Sequence, residues 1–406
     1  MSLLSEVEGL LTILGSPPRV AGSYLDVVDA GGSARNDGRI ELVRAKRIPR
    51  LFDYQAELAD RMLELTNSSR SGLVSLPTGA GKTRMAMYAM LSSLEARPLH
   101  RWLWLAPTLE LLDQAVATAT SMWNAWPAIP DITMDLRTLN NDGASVWFNT
   151  PQAINNMRGL APTADVVVFD EAHQLGAPTY REAVHRVSGS GTSVIGLSAT
   201  PGRSATGETE HLVEYFDGRL LTSSILGAKP VEELQERGVL AKLIFKDIGR
   251  DPMKWGAEQR PRVVARLAEK LANDGRRSLI FTASVAEAIA LALHLRERGI
   301  PADFIEGRLS DGERTRRLDQ FAEGVTRIMF NQRLLATGYD CPAVSDVVLG
   351  SRVGSAILFE QMVGRAARGP MTGGSRVARI WQFDDHLAIH GLPQSYYRFR
   401  DYEWAS

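Results

Sequence analysis

The sequence predicts an α/β protein made of two consecutive doubly wound domains, each built around a parallel sheet. Short apolar runs alternate with helix-forming stretches along most of the 406 residues. Such alternation is typical of parallel strands that are joined by right-handed helical crossovers. The runs fall into two sets, which predicts two sheets with a domain boundary near residue 244.

Each set of apolar runs is expected to form one sheet. The first set comprises Leu103–Ala106, Val146–Phe148, Val166–Phe169 and Val194–Leu197. The second set comprises Leu279–Phe281, Ala302–Ile305, Arg327–Phe330, Val347–Leu349 and Ala378–Trp381. A helix over Val231–Gly238, capped by Gly238, is expected shortly before the boundary. The predicted segments are an N-terminal helical and basic extension (1–49), a first domain (50–243), a second domain (244–385) and an aromatic C-terminal tail (386–406).

The composition is that of an ordinary globular protein. The hydrophobic fraction is 44%, the charged fraction is 23%, and the net charge is −1. Any grip on nucleic acid must therefore come from a local groove rather than from a globally basic surface. The single cysteine, Cys341, excludes a disulfide framework and a cysteine-ligated zinc module, and it suits a reducing cytoplasm. Since no apolar run approaches membrane-spanning length, we expect a cytoplasmic protein.

The two ends of the chain carry less information. Leucine and valine side chains recur at helical spacing near the N-terminus, at Leu3, Leu4, Val7, Leu10, Leu11 and Leu14. Ser5 and Glu8 offer a capping box for this helix, whose stripe we expect to pack on the first domain rather than to bind a partner. For the basic stretch Arg35–Arg50 a solvated face is expected, with a phosphate-contacting arm as the alternative. The C-terminal aromatics, interleaved with Arg398 and Arg400, either dock on their own domain or stack on bases.

The octapeptide Leu76–Thr83 has the pattern of a phosphate-binding loop. It reads Leu-Pro-Thr-Gly-Ala-Gly-Lys-Thr, and it stands between an apolar run and a helix-forming stretch, as such a loop requires. Gly79 and Gly81 would let successive backbone N–H groups point at a triphosphate. Lys82 would reach the β- and γ-phosphates, and the Thr83 hydroxyl would hold Mg²⁺.

A second half of such a site follows the apolar run Val166–Phe169. Asp170 and Glu171 come directly after this run, at the carboxyl edge where open α/β sheets bind their ligands. Asp170 would hold Mg²⁺, and Glu171 would orient and deprotonate the attacking water. A solvated acidic turn is the alternative, and the position downstream of a phosphate-binding loop favours the catalytic interpretation.

A basic helix face is predicted in the second domain. The stretch from Ser355 to Ala367 lacks proline and is expected to be helical, which places Gln361, Gly364, Arg365 and Arg368 on one face. Arginine suits phosphate recognition because its planar fork stays charged and binds oxygens bidentately. The alternative is a solvated basic helix end that is favoured by the helix dipole.

Taken in order, these motifs resemble those of superfamily 2 helicases and translocases with a DEAH-type box, here Asp170–His173. The resemblance runs over roughly residues 50–385. It implies two RecA-like domains, with ATP and Mg²⁺ as cofactors and nucleic acid as partner. Hydrolysis in the cleft between the domains would open and close the cleft, and so move the protein along a strand.

Two positions depart from the pattern of that family. Gln55 resembles the glutamine that recognises the adenine edge, but Phe52 stands where many relatives carry arginine. Contact with the base could therefore be stacking, and selectivity for adenine is an open question. Leu76 also replaces the small residue that usually opens the phosphate-binding loop.

The resemblance assigns roles to individual residues. ATP binding is implied for Gln55, Thr78, Gly79, Ala80, Gly81, Lys82, Thr83, Asp340, Arg365 and Arg368. Coupling of hydrolysis to movement is implied for His173, Ser198, Thr200 and Gln361. Contact with nucleic acid is implied for Pro107, Thr108, Thr150, Gln152, Arg203, Thr282 and Thr337.

The residues of two motifs late in the chain indicate a narrower group within this superfamily. Thr337–Pro342, with Gln361–Arg365 and the Gly369-Pro370 that follows, resembles helicase subunits of bacterial restriction and phage-defence enzymes. An ATP-driven motor on nucleic acid is favoured, with DNA preferred over RNA. An RNA helicase, or an ATPase switch that is activated by nucleic acid or a protein and does not unwind, are the alternatives. Since the two domains take up nearly the whole chain, we expect a separately encoded partner such as a nuclease, docked on the N-terminal stripe or the C-terminal tail.

Overall fold

The computed structural model of the chain describes residues 2–18, 39–40, 50–126, 134–136, 146–199, 206–249, 258–336 and 341–383. These residues form two compact units. The first unit takes the described residues from 39 to 233, and the second takes residues 2–18 together with those from 234 to 383. Each unit has helices and a sheet that is parallel throughout or nearly so, which confirms the predicted fold class.

Within the described residues, eight strands form the sheet of the first unit. In chain order they are β1 (Arg39–Ile40), β2 (Gly72–Ser75), β3 (Trp102–Leu105), β4 (Met134–Leu136), β5 (Val146–Asn149), β6 (Ala164–Asp170), β7 (Ser188–Ser198) and β8 (Leu220–Leu221). Across the sheet they run β1-β4-β5-β3-β6-β7-β2-β8, and only the β1–β4 pair is antiparallel. The first set of apolar runs falls on β3, β5, β6 and β7, as predicted.

Helices alternate with these strands. The first helix of the chain, α1 (Leu3–Leu14), belongs to the second unit. The helices that follow are α2 (Asp53–Asn67), α3 (Lys82–Ala96), α4 (Leu109–Asn124), α5 (Pro151–Asn156), α6 (Pro178–Val187), α7 (Thr206–Tyr215) and α8 (Pro230–Glu236). Helices on a parallel sheet leave its strands no solvated face, and every residue of β2, β3 and β5 is indeed buried.

Six strands form the sheet of the second unit, again counted over the part of the chain that the structure describes. They are β9 (Lys242–Asp247), β10 (Ser278–Phe281), β11 (Ala302–Ile305), β12 (Ile328–Asn331), β13 (Asp346–Leu349) and β14 (Val377–Gln382). Their order is β11-β12-β10-β13-β14-β9, with every pair parallel. The helices are α9 (Gln259–Asn273), α10 (Val285–Glu297), α11 (Asp311–Glu323) and α12 (Ala356–Gly364).

Strand β9 was not among the predicted runs. It pairs along its whole length with β14, from Lys242 opposite Val377 to Asp247 opposite Gln382. The predicted domain boundary at residue 244 therefore falls inside a strand of the second sheet. The expected glycine cap ahead of it is present, because Gly238 follows α8 with a φ of 71°.

The expectation that the N-terminal helix packs on the first domain is wrong. Helix α1 lies against α10 and α9 in the second unit, where Val7 and Leu11 are part of the core. Two polar contacts hold its C-terminal end: Ser16 Oγ lies 2.8 Å from His294 Nδ1, and Arg262 Nε donates to the Ile13 carbonyl at 2.9 Å. The predicted stripe thus packs against its own chain, with Val7 and Leu11 buried and its other leucines partly buried.

Two further details of α1 and α10 follow from this packing. The helix starts one turn earlier than the predicted capping box, with Ser2 as its N-cap accepting the Ser5 N–H at 3.3 Å. Helix α10 is apolar nearly all round, and eight of its hydrophobic residues are buried, since the helix contacts α1 as well as strands β11 and β12. A helix buried on more than one side needs no polar stripe.

None of the described helices combines the length and apolar composition needed to cross a membrane.

Candidate active site

The loop between β2 and α3 turns sharply at two glycines. Gly79 has a φ of 89° and Gly81 a φ of 82°, in the left-handed region that glycine adopts without steric cost. Helix α3 then begins at Lys82, so that Thr78, Gly79, Ala80 and Gly81 lie in front of the helix and Lys82 and Thr83 form its first turn. N–H groups at a helix N-terminus attract anions, as a phosphate-binding loop requires.

Leu76, the unusual first residue of this loop, is accommodated by burial. Its side chain is completely buried in the first unit. Its backbone N–H donates to the carbonyl of Ser198 at 3.3 Å, at the end of β7. The large residue therefore anchors the start of the loop to the neighbouring strand.

The carboxyl ends of β6, β7 and β2 meet at one edge of the sheet. The register pairs Asp170 with Leu197 across β6 and β7, and Ser198 with Ser75 across β7 and β2. Asp170, Ser198 and the start of the phosphate-binding loop therefore lie side by side. This is the edge at which α/β sheets bind ligands.

The electrostatics of this edge favour an added positive charge. Asp170 is only 4% exposed. Burial, and next to it the charge of Glu171, raises the pKa of Asp170 to about 7, while Lys82 and the Glu171 N–H act in the opposite direction. Two carboxyl groups thus share the neighbourhood of one ammonium group.

Glu171 has a strained backbone conformation, and its carboxylate lies beside His173. Its φ is 51°, in the left-handed region that costs a non-glycine residue of order 1 kcal/mol or more. His173 Nδ1 lies 3.3 Å from Glu171 Oε2 and 3.4 Å from Ser198 Oγ. The structure thus places His173, predicted as a coupling residue, between the predicted general base Glu171 and the second predicted coupling residue, Ser198.

The residues predicted to contact nucleic acid in the first unit also share an edge. Strands β3 and β5 are parallel neighbours with Leu105 opposite Asn149, so that the segments that follow them lie side by side. These segments carry Pro107 and Thr108, and Thr150 and Gln152. Pro107 is buried, and Gln152 is exposed.

Both threonines of this pair cap a helix. The Thr108 hydroxyl accepts the Leu111 N–H at 3.3 Å at the start of α4, and the Thr150 hydroxyl accepts the Ala153 N–H at 3.3 Å at the start of α5. A hydroxyl that accepts in this way keeps its own proton for donation. Each cap can therefore still donate to a phosphate oxygen.

Thr282, predicted to contact nucleic acid, has a structural role. It follows β10 and is 1% exposed. Its hydroxyl donates to the Ser284 carbonyl at 2.9 Å, and its N–H donates to the Asn331 carbonyl at 2.9 Å. The side chain fixes the turn between β10 and α10, and it does not reach the surface.

The basic helix predicted over Ser355–Ala367 is shorter than expected. Helix α12 ends at Gly364, with Arg365 as its C-cap, and the chain then turns through Ala366 and Ala367. At Arg368 the chain forms an antiparallel bridge with Leu240, and the Ala241 N–H donates to the Ala367 carbonyl at 2.9 Å. The bridge draws the chain away from the helical path, which is why the helix stops.

The four residues of the predicted face nevertheless remain similarly exposed, although the helix ends at Gly364. The residues expected to share a face are all partly exposed, whereas the four residues between them are buried; the partly exposed ones are Gln361, Gly364, Arg365 and Arg368. Arg365 Nε donates to the Gln361 carbonyl at 3.3 Å. A Cβ at Gly374 would collide with the Arg368 carbonyl, so a glycine is needed to let the chain pass and hold this arginine in place.

Four predicted site residues and both predicted end segments lie outside the described residues. The site residues are Thr200, Arg203, Thr337 and Asp340. The segments are the basic stretch before Arg50, apart from the backbone of β1, and the predicted C-terminal tail at residues 386–406.

Two residues that contribute to the site, Tyr54 and Glu57, were not among the predicted site residues. Tyr54 donates to the carbonyl of Ala80 in the phosphate-binding loop, and its neighbour Gln55 does the same. Glu57 accepts hydrogen bonds from Ser223, Ser224 and the Ile225 N–H, which fixes α2 to the chain after β8. The aromatic beside Gln55 was a usable signal, but the partners of Glu57 are too distant in sequence to be recognised.

Two protein-family models match two successive parts of the chain. Residues 48–203 match the family model described as the type III restriction enzyme res subunit, and residues 260–370 match the helicase conserved C-terminal domain. The ATP-dependent DNA helicase fml2 of Schizosaccharomyces pombe is 30% identical over 174 residues, which cover 40% of this chain and 22% of that protein. The chain therefore spans about a fifth of the length of this relative.

Two solved structures have a similar fold. Dbp5 of S. cerevisiae bound to RNA and ADP BeF3 superposes with a TM-score of 0.62 and 22% identity, covering 87% of this chain and 93% of that one. A fragment of an HsdR subunit of a type I restriction enzyme from Vibrio vulnificus gives a TM-score of 0.58 and 20% identity, covering 84% and 67%.

Proposed function

We propose, on the premise that this chain belongs to the superfamily 2 helicases, that it hydrolyses ATP to move along nucleic acid. The observation that carries the proposal is the shared sheet edge of the first unit. It gathers a phosphate-binding loop, a buried carboxylate at Asp170 and a second carboxylate at Glu171 with its histidine partner. Phosphoryl transfer to water requires a site that binds the phosphates and a general base beside it, and this edge offers candidates for both.

In this proposal each residue of the edge has one task. The loop N–H groups and Lys82 bind the phosphates, since Lys82 stands at the helix N-terminus and acts on the charge of Asp170. Glu171 accepts the proton of the attacking water, and His173 holds the Glu171 carboxylate in position. Strain at the Glu171 backbone fits a group that is fixed before the reaction.

The oxygen groups at this edge fit Mg²⁺. The Thr83 hydroxyl and the Asp170 carboxylate are hard oxygen donors, which this ion prefers, and we propose them as its ligands. When bound, the ion would offset the negative charge of the phosphates. Asp170 Oδ1 already accepts the Glu171 N–H at 2.9 Å, so the backbone orients this carboxylate without any ion.

We propose that the second unit completes the site. Arg365 and Arg368 would stabilise the phosphate charge during hydrolysis, Asp340 would bind ATP, and Gln361 would take part in coupling hydrolysis to movement. Support comes from the partial exposure of both arginines and from the pinned backbone at Arg368. Thr200 would couple hydrolysis to movement together with Ser198 and His173.

Nucleic acid is proposed to run past Pro107, Thr108, Thr150 and Gln152, with Arg203 and Thr337 as further contacts. The two capping hydroxyls support this path, because each can donate to a phosphate. We propose DNA as the substrate, since the first domain matches a restriction-enzyme family and fml2 is named a DNA helicase. A motor subunit of a restriction or anti-phage complex in the cytoplasm, with a separate nuclease, extends the same proposal.

The experiment compares ATP hydrolysis by the purified chain alone, with single-stranded DNA, and with RNA of the same sequence. We expect DNA to stimulate hydrolysis most, and Lys82→Ala to remove the activity in all three conditions. Displacement of a triplex-forming strand from duplex DNA then measures movement. DNA-stimulated hydrolysis without displacement would favour an ATPase switch, greater stimulation by RNA would favour an RNA helicase, and no hydrolysis would refute the proposal.

A further inference from the structure

Two neighbouring side chains of α2 donate to the same carbonyl of the phosphate-binding loop. Tyr54 Oη donates to the Ala80 oxygen at 3.0 Å, and Gln55 Nε2 donates to it at 2.9 Å. Both side chains are buried, at 0% and 2% exposure. A carbonyl oxygen has two lone pairs, so these bonds engage both. We refer to Tyr54, Gln55 and Ala80 as the loop brace.

The Gln55 amide is occupied at both of its ends. While Nε2 donates to Ala80, Oε1 accepts the Phe52 N–H at 3.1 Å. One partner is a donor and the other is an acceptor, and this pairing determines the orientation of the amide. A flipped amide would bring donor against donor and acceptor against acceptor.

Recognition of adenine by a glutamine needs the same two atoms. The carboxamide oxygen accepts from the exocyclic amine of the base, and the amide nitrogen donates to the ring. In the loop brace both atoms are directed at the protein backbone, and the side chain is almost completely buried. A Cβ at Gly81 would collide with Gln55 Nε2, so the amide lies directly against the loop.

The helix that carries the brace is itself fixed. Further along the same helix, Glu57 Oε1 accepts from Ser224 Oγ at 2.6 Å, and Arg61 Nη1 donates to the Thr222 carbonyl at 2.6 Å. Release of the Gln55 amide would therefore break its own two hydrogen bonds without a helix shift to compensate. Buried groups that lose their partners are costly.

We propose that Tyr54 and Gln55 position the phosphate-binding loop and do not recognise the base. The substrate class of the site is then nucleoside triphosphates in general, not ATP alone. This inference rests on the proposed function, because it refines the substrate of the same site. The partly buried Phe52 at the start of α2 is consistent with it, since stacking on an aromatic ring does not distinguish one base from another.

The first test needs no variant. Values of kcat/KM for ATP, GTP, CTP and UTP are measured with the full chain and saturating single-stranded DNA. We expect the four to agree within about tenfold, because one bidentate contact to a base is worth about tenfold or more. A larger preference for ATP would overturn the inference.

The second test distinguishes phosphate binding by the loop from recognition of the base. It uses inorganic tripolyphosphate, an inhibitor that has phosphates and no base. Tyr54→Phe deletes one hydroxyl, and we expect it to raise the inhibition constant of tripolyphosphate and the KM of all four nucleotides by the same factor. That factor should be about three- to tenfold, the worth of one buried hydrogen bond. Tyr180→Phe, a matched change on α6 outside the brace, should leave every value unchanged.

The outcomes are distinct. Gln55→Ala should weaken all nucleotides and tripolyphosphate together; a loss confined to ATP, or unchanged inhibition by tripolyphosphate in Tyr54→Phe, would overturn the inference. If Gln55→Ala does not fold, Tyr54→Phe and the wild-type comparison decide alone. Absence of hydrolysis with every nucleotide would instead contradict the proposed function, and equilibrium binding of the four nucleotides would still report the base preference.

Discussion

The imidazole of His173 contacts the carboxylate of Glu171, with Nδ1 3.3 Å from Oε2. The two side chains come from one short 3₁₀ turn after β6, and the same Nδ1 lies 3.4 Å from Ser198 Oγ at the end of β7. The candidate general base is thus connected, through one buried ring, to the strand that precedes the predicted coupling motif. A shift of β7 would therefore act on the Glu171 carboxylate through His173.

His173→Ala should therefore lower kcat while leaving ATP binding intact. The variant loses the polar contact of the imidazole with the Glu171 carboxylate, and a polar contact to a charged group corresponds to about ten- to a hundredfold in rate. His185→Ala, an exposed histidine on α6, is the matched control and should have no effect. Steady-state ATPase rates at saturating ATP, with ATP affinity measured separately, test this; an unchanged kcat would show that the histidine does not support Glu171.

Glu171→Gln should abolish turnover and keep ATP binding, because the amide has the size of the carboxylate but cannot accept the proton of water. Lys82→Ala should remove both, since it deletes the charge that faces the phosphates. Single-turnover hydrolysis and equilibrium nucleotide binding distinguish the two variants. Glu182→Gln on the exposed side of α6 is the control. Substantial turnover by Glu171→Gln would exclude Glu171 as the base.

Arg368→Ala should reduce kcat on the order of 10³-fold, as expected for an arginine that stabilises the transferred phosphoryl group. ATP affinity should change much less. The control is Arg352→Ala, an exposed arginine ahead of α12. Should ATP affinity collapse while the rate at saturating ATP is retained, Arg368 would be a binding residue instead.

The buried Glu287 should make the second unit less stable as pH rises. Burial raises the pKa of Glu287 from 4.5 to about 7, against smaller lowering effects from the Ala283 N–H and from Arg260 on α9. The side chain is 6% exposed and Oε1 has no hydrogen-bond partner. An acid whose pKa is higher in the folded state binds more protons when folded, so the free energy of unfolding falls between pH 4.5 and pH 7.

Glu287→Gln should remove this loss. The free energy of unfolding of the variant minus that of the wild type should be about 2 kcal/mol larger at pH 8 than at pH 5. Urea unfolding at the two pH values measures it. Glu323→Gln, an exposed acid at the end of α11, is the control and should show no such difference. Equal differences from wild type at both pH values would mean that Glu287 is ionised throughout.

Leu11→Ala should destabilise the second unit by about 2–4 kcal/mol, because the side chain is completely buried in the core beneath α1. Thr12→Ala, at an exposed position on the same helix, should change stability by less than about 0.5 kcal/mol. Urea unfolding, together with hydrogen exchange of the α10 amides, reports the effect. Unchanged protection of α10 in Leu11→Ala would show that α1 does not stabilise that helix.

Much of the fold could be predicted because its signals are local. Continuous apolar runs such as Val166–Phe169 mark strands that are buried on both faces, and Gly79 and Gly81 mark the turn into α3. The edge where Asp170 meets the phosphate-binding loop follows from the rule for parallel sheets. These features depend on residues near one another in sequence.

What could not be predicted depends on tertiary contacts. The stripe of α1 indicates that the helix is buried but not which surface covers it, and that surface, α10, begins only at Val285. The end of α12 at Gly364 is set by the bridge between Arg368 and Leu240, which no periodicity contains. Strand β9 was missed because its pattern of exposure alternates, as expected of an edge strand whose partner β14 lies far along the chain.

The position of α1 also bears on how the protein is made. The helix leaves the ribosome long before α10, which ends at Glu297, and the whole first unit is synthesised in between. At about 5–20 residues per second, this interval lasts roughly 15–60 s. A segment of 12 residues does not hold a helix by itself in water, so its leucines remain without a partner for that time. Translation speed across the first unit therefore affects the yield of folded protein, because a longer wait gives the unpaired apolar segment more time to aggregate.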